Sequence, residues 1–145
     1  MIYDKQPDNF NPRMEVSGCF LEGVDKKFLI LLREDHKPQG NTWGIPGGKV
    51  NKDEKLEDSI LREIEEETGN KFRLEDINFF KKLYVRYKEY DFIYYIFSIK
   101  LKSEIDIVLE KDGHKDFRWV TPEESLEVDY IQDLDVCVKM FYGIK

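Results

Sequence analysis

The chain has 145 residues, 41% of them hydrophobic and 14% aromatic, with a formal net charge of −7. These values describe one globular domain with a core rather than a disordered chain, and the acidic balance disfavours general nucleic-acid binding, which needs a cationic surface. No apolar run approaches the roughly 20 residues that span a bilayer, the first residues lack a signal-peptide shape, and Cys19 and Cys137 form no closely spaced pair, so the expectation is a cytoplasmic protein with two buried thiols.

In chain order, the polar residues 1–13, with Pro7, Asn9, Asn11 and Pro12, predict a flexible N-terminal segment. Residues 15–21 and 27–33 read as strands joined by the hairpin signal Glu22-Gly23-Val24-Asp25. The unbroken apolar run Phe28 to Leu32 suits a strand covered on both faces. A loop with Pro38, Gly40 and Asn41 leads to the turn Gly47-Gly48. Leu56, Ile60 and Ile64 then recur at intervals of four, with Leu61 widening the stripe, which predicts an amphipathic helix closed by a left-handed cap at Gly69. Further strands are expected over 79–88, 90–102 and 116–120. Thr121-Pro122-Glu123-Glu124 reads as a capping box opening a short helix, and residues 131–142, with Leu134, Val138, Met140 and Phe141, as a closing amphipathic helix. The predicted layout is a mixed sheet with a helix on each face, in a single domain over 1–145.

The first helix carries the chemistry. Glu63, Glu66 and Glu67 are spaced i, i+3, i+4 and share a face; Glu67 points close to the direction of Ile60, and Glu63 lies at the edge of the apolar stripe. A carboxylate beside a core is costly unless something positive meets it, and three together repel and raise each other's pKa values. A solvated acidic face is the plainer explanation in a chain that is 37% charged. The glycine turn ahead of the helix and the position of Glu67 favour a bound divalent cation instead.

The spacing Gly48, five residues, Glu54, seven residues, Arg62-Glu63-Ile64-x-Glu66-Glu67-x-Gly69 resembles the Nudix box of the Nudix hydrolases, and Trp43-Gly44-Ile45-Pro46-Gly47-Gly48 is similar to that family's approach to the box. Asn70 departs from the pattern, where the family usually carries an aliphatic residue; the departure touches helix packing rather than the carboxylates. With its flanking strands the resemblance covers residues 14 to 143. It implies an α/β fold, the Nudix α/β/α sandwich with a mixed β-sheet between helices. It also implies a pyrophosphohydrolase that uses Mg2+, with Mn2+ able to substitute. The metal ligands would be Glu63, Glu66, Glu67 and a carbonyl that maps onto Gly47. Glu63 or Glu66 is the expected general base. Arg62 and Glu54 are expected to form an ion pair that orients the carboxylates.

Substrate contacts are less sharply marked. Arg33, at the end of a strand leading to the glycine loop, is a candidate phosphate ligand, with a surface arginine as the alternative. Tyr87 falls near a tyrosine that relatives acting on dinucleoside polyphosphates carry. It belongs to a ladder, Tyr84, Tyr87, Tyr90, Tyr94 and Tyr95, that could stack on a base or simply pack. His114 sits where many relatives have a Glu-His pair; Gly113 replaces that glutamate, with Glu110 and Asp112 as stand-ins for a base supplied by a distant loop. His36 reads as a solvated loop residue. The expected substrate is a small nucleotide, a (deoxy)nucleoside triphosphate cut to monophosphate and pyrophosphate. A dinucleoside polyphosphate, a nucleotide-sugar and a non-turning nucleotide-binding module are the alternatives, and the reading leaves room for a homodimer.

Overall fold

The computed structural model describes every residue, Met1 to Lys145. The strands β1 (Ile2–Tyr3), β2 (Pro12–Glu22), β3 (Phe28–Arg33), β4 (Trp43–Gly44) and β5 (Gly47–Lys49) precede the helix α1 (Leu56–Thr68); β6 (Ile77–Arg86), β7 (Asp91–Lys100) and β8 (His114–Val120) follow it, and the helices α2 (Pro122–Ser125) and α3 (Leu134–Tyr142) close the chain. They form one mixed eight-stranded sheet, ordered β1-β6-β7-β2-β3-β4, with β5 paired to β2 and β8 to β3. β2 runs parallel to β7 and antiparallel to β3 and β5.

Period-2 alternation sends successive residues of β2 and β3 to opposite faces. Cys19, Leu21, Leu29 and Leu31 meet Ile60 and Ile64 of α1 on one face, while Phe20, Phe28 and Ile30 meet Leu134, Cys137 and Val138 of α3 on the other. Both faces are covered, which is why the run from Phe28 to Leu31 is apolar without a break. Ile60 and Ile64 are fully buried, and each contributes about 1.5–3 kcal/mol by leaving water. Both cysteines are buried free thiols. No helix is long and apolar enough to cross a membrane.

Gly69 caps α1 at φ 77°, its N–H donating to the Glu65 carbonyl as the sequence predicts. The Thr121–Glu124 capping box is present in both directions, at 3.1 and 2.8 Å. Asn70 gives the helix end a different anchor from an aliphatic residue: its side-chain amide donates to the carbonyls of Thr68 and Asp106, at 2.9 and 2.8 Å, tying α1 to the segment before β8.

Several boundaries move. The closing helix begins at Leu134 rather than 131, because Asp133 takes φ 69°, a left-handed conformation that no helix interior holds. β6 and β7 stop short of Tyr87 and Tyr90, whose backbones bond to each other across the turn. Residues 1–13, expected to be flexible, make defined contacts. Ile2 and Tyr3 pair with Val85 and Tyr84, the Arg86 guanidinium donates to the carbonyls of Asp8 and Asn9, and Phe10 is buried.

Candidate active site

The glycine turn and α1 are held together through the sheet. Gly47 and Gly48 lie in register with Gly18 and Ser17 of β2, an approach so close that a side chain at Gly47 would collide with the Ser17 carbonyl. The Gly47 N–H donates to Glu67 Oε1 at 2.8 Å. At Gly48 a β-carbon would stand 2.6 Å from the Glu63 carboxyl carbon, so glycine is what lets that carboxylate lie against the turn.

Arg62 organises the rest. Its Nε and Nη2 donate to the two oxygens of Glu54 at 2.8 and 3.0 Å, a bidentate pair. Nη2 also reaches the Lys49 carbonyl at 3.1 Å, and Nη1 reaches Glu63 at 2.9 Å and Glu66 at 3.3 Å. Glu54 in turn accepts from the Asn51 N–H, closing the loop ahead of the helix. Glu54 is held below the usual carboxylate range by the Arg62 bond, and Arg62 is held above its own.

Glu63 and Glu67 move the other way. Burial pushes Glu67 well above its ordinary pKa; the Gly47 N–H opposes this, and repulsion from Glu63, Glu110 and Glu66 adds to it. Burial also raises Glu63 against the pull of Arg62, with Glu66 and Glu110 adding repulsion. Of the two stand-ins for a distant-loop base, Glu110 adds repulsion to Glu63 and Glu67. Asp112 occupies a left-handed turn position, φ 66°. No three His, Cys, Asp or Glu side chains converge tightly enough to form a preassembled cation site. The reason is visible in the bonds: Glu67 is turned to Gly47, and Glu63 and Glu66 to Arg62.

On the α3 face, the same glycine turn borders a cavity of about 490 Å³ that also takes in Arg13, Arg33, Tyr87, Tyr90, Phe92 and Tyr94. Arg33 donates from Nε to the Pro38 carbonyl at 2.9 Å. Tyr87 donates its hydroxyl to the Gln132 carbonyl at 3.0 Å and packs edge-on against Tyr90 and Phe92. The expected tyrosine ladder divides between locations. Tyr87, Tyr90 and Tyr94 face the cavity, Tyr95 turns to the other face and donates to Glu15, and Tyr84 packs on Phe10. His114 lines the cavity with its Nδ1 unpartnered, and burial with the nearby Arg33 pushes its pKa down to about 4.

A family model described as NUDIX domain matches residues 12–137. The chain belongs to the Nudix family. Its fold, the Nudix α/β sandwich, and its class, a hydrolase, are those that the box implies. NudI of Salmonella newport (strain SL254), named a nucleoside triphosphatase, is 29% identical over 143 residues, which cover 92% of each chain. The MutT protein of Methanosarcina mazei Go1 shares the fold with a TM-score of 0.78 at 23% identity, over 92% of this chain and 94% of that one. The NUDIX domain of Shewanella oneidensis NrtR, solved with ADP ribose, also has a TM-score of 0.78, at 18% identity over 97% and 93% of the two chains.

Sequence reasoning isolated the box but not the cavity residue Arg13. The signal available for Tyr94 was the alternation Phe92, Tyr94, Ile96, which gives those side chains one face of β7.

Proposed function

We propose that this Nudix hydrolase is a magnesium-dependent pyrophosphohydrolase that cuts a (deoxy)nucleoside triphosphate to the monophosphate and pyrophosphate. The observation that carries the reading is the shared glycine turn: Gly47 and Gly48 border both the carboxylate cluster and a cavity whose volume, about 490 Å³, suits a nucleoside. The relative named a nucleoside triphosphatase supports the same substrate class.

The donor set fits a hard cation. Every candidate ligand is an oxygen, from Glu63, Glu66, Glu67 and the Gly47 carbonyl, which suits Mg2+ or Mn2+ rather than zinc. Glu63 and Glu67 carry the raised pKa values that positive charge would relieve. When bound, the cation offsets phosphate charge and makes water a better nucleophile.

The chain's own residues do the remaining work. The Gly47 N–H fixes the direction of Glu67, and the Arg62–Glu54 pair fixes the loop against α1. Glu63 or Glu66 accepts the proton of the attacking water on a carboxylate oxygen, with Glu110 adding negative charge beside Glu63. Tyr87 and its aromatic neighbours stack on the base, and Arg33 meets the phosphates. The buried thiols Cys19 and Cys137 accord with work in a reducing cytoplasm.

The test is release of nucleoside monophosphate, read by chromatography, across ribo- and deoxynucleoside triphosphates, dinucleoside polyphosphates and nucleotide-sugars, with and without EDTA. Turnover of triphosphates that vanishes in EDTA is expected. Turnover confined to another class, or full turnover in EDTA, overturns the reading.

A further inference from the structure

Tyr94 is placed unlike the other tyrosines of the cavity. It stands on β7 opposite Val16 of β2, with Gly18 two residues further along opposite Ile96. Gly18 has no side chain, and the phenol ring fills that space: a β-carbon there would stand 2.8 and 2.9 Å from ring atoms Cε1 and Cζ, and closer still to the hydroxyl. Gly18 is itself in register with Gly47. The Tyr94 hydroxyl thus lies over Gly18, whose strand neighbour is the turn whose N–H holds Glu67.

Of the three cavity tyrosines, Tyr87 donates its hydroxyl to Gln132, whereas the hydroxyls of Tyr90 and the half-buried Tyr94 make no hydrogen bond within the protein, and of these two only Tyr94 reaches over Gly18. Phenylalanine would fill the space above Gly18 equally well, so the hydroxyl is left free to meet a group that enters the cavity. The aromatic group of Tyr87, Tyr90 and Phe92 lies on one side of Tyr94, and the Gly47-Gly48 turn lies on the other. Base, sugar and phosphates follow one another in that order along a nucleotide.

We propose that the Tyr94 hydroxyl donates a hydrogen bond to the sugar of the substrate, and that Gly18 is glycine so that the phenol can reach it. The assignment rests on the nucleotide reading above and names the contact that joins its two halves. Loss of one such bond between uncharged groups weakens binding by about 3–10-fold.

The experiment uses the full chain with Mg2+. KM and kcat are measured on the best triphosphate of the panel, and affinity by calorimetry for its α,β-methylene analogue and for inorganic triphosphate, which has no sugar. Tyr94→Phe should raise KM and weaken the analogue by about 3–10-fold, with kcat within about twofold and inorganic triphosphate unaffected. Gly18→Ala, which displaces the ring while keeping the hydroxyl, should weaken the analogue in the same way. If the wild type turns over triphosphates and Tyr94→Phe matches it in KM, the sugar contact is wrong and the nucleotide reading stands. Equal weakening of inorganic triphosphate would mean a structural or phosphate role and overturns the proposal too. A wild type that neither cleaves nor binds any nucleotide overturns both.

Discussion

Replacing Glu67 by glutamine separates what this carboxylate does for catalysis from what it does to the fold. Glutamine keeps the volume and an oxygen that can accept the Gly47 N–H, and removes a charge that is 7% exposed and surrounded by Glu63, Glu66 and Glu110. The folded protein holds the Glu67 pKa above its unfolded value. Its contribution to stability is therefore complete below the unfolded pKa and is lost as pH rises through the folded one. Without metal, the wild type should consequently be less stable at pH 8 than the variant, with the gap closing in mild acid. Relief of one poorly compensated buried polar group is worth about 1–3 kcal/mol, or roughly 3–10 °C in a domain of this size. Magnesium should reverse the order, since a ligand at 100 times its Kd stabilises the wild type by about 2.7 kcal/mol. Hydrolysis should fall at least about 100-fold, given that even outer supports of a metal site are worth about 10–100-fold. Thermal melts by circular dichroism in EDTA and in magnesium, at pH 5.5 and 8, read all of this. A variant that melts below the wild type in EDTA at pH 8, or that keeps both magnesium stabilisation and turnover, refutes the reasoning.

Arg62→Lys keeps the charge but cannot pair bidentately with Glu54 while reaching Glu63; kcat/KM should drop by about 10–100-fold with little change in the circular dichroism spectrum, and wild-type kinetics would show that the clamp is idle. Gly48→Ala drives a β-carbon into the Glu63 carboxyl, so magnesium affinity measured by calorimetry should weaken in a protein that remains folded; an unchanged affinity would place Glu63 outside the metal site. Magnesium affinity of the wild type should also fall as pH drops through the raised pKa values of Glu63 and Glu67, because protons compete for the same oxygens. A pH-independent affinity between 5 and 8 would contradict that competition.

The box helix was legible because two periodicities agree on it. The apolar stripe Leu56, Ile60, Ile64 and the acid spacing Glu63, Glu66, Glu67 both require a period of 3.6, and Gly69 marks the stop. The unbroken run of β3 likewise announced a strand covered on both sides. What escaped were elements whose existence depends on distant partners. β1 and β4 are two residues each, and β5 three. Such segments carry no period of their own and form because Val85, Leu32 and Ser17 offer paired edges. The start of α3 was missed for a local reason, the left-handed Asp133, which an acidic residue tolerates without announcing. The cavity has no contiguous signal at all, since it draws residues from β2, from the β6–β7 turn and from the approach to α3.

Arg62 gives the site a built-in competition. All three of its side-chain nitrogens face oxygen acceptors, and Nη1 is shared between Glu63 and Glu66. Glu54 and the Lys49 carbonyl are enough to hold the guanidinium on their own, through the shortest bond, 2.8 Å, and two more at 3.0 and 3.1 Å. The bonds to the exposed Glu66 are the longest at 3.3 Å, and a partly exposed ion pair of that kind is worth about 0–1 kcal/mol. A divalent cation can thus draw Glu66 away at small cost while Arg62 stays anchored to Glu54. Glu67, buried and bonded to Gly47, has no such freedom and, on the proposed reading, would be the fixed ligand. On the proposed metal reading an order of recruitment would follow from these strengths: Glu67 would be in position before binding, Glu66 would be released from Arg62 to join it, and Glu63 would remain shared with Arg62. Glu66→Gln should accordingly weaken magnesium less than Glu67→Gln does. Calorimetry on the two variants side by side decides it, and the reverse order would mean that Glu67 is a packing residue and that Glu66 anchors the site.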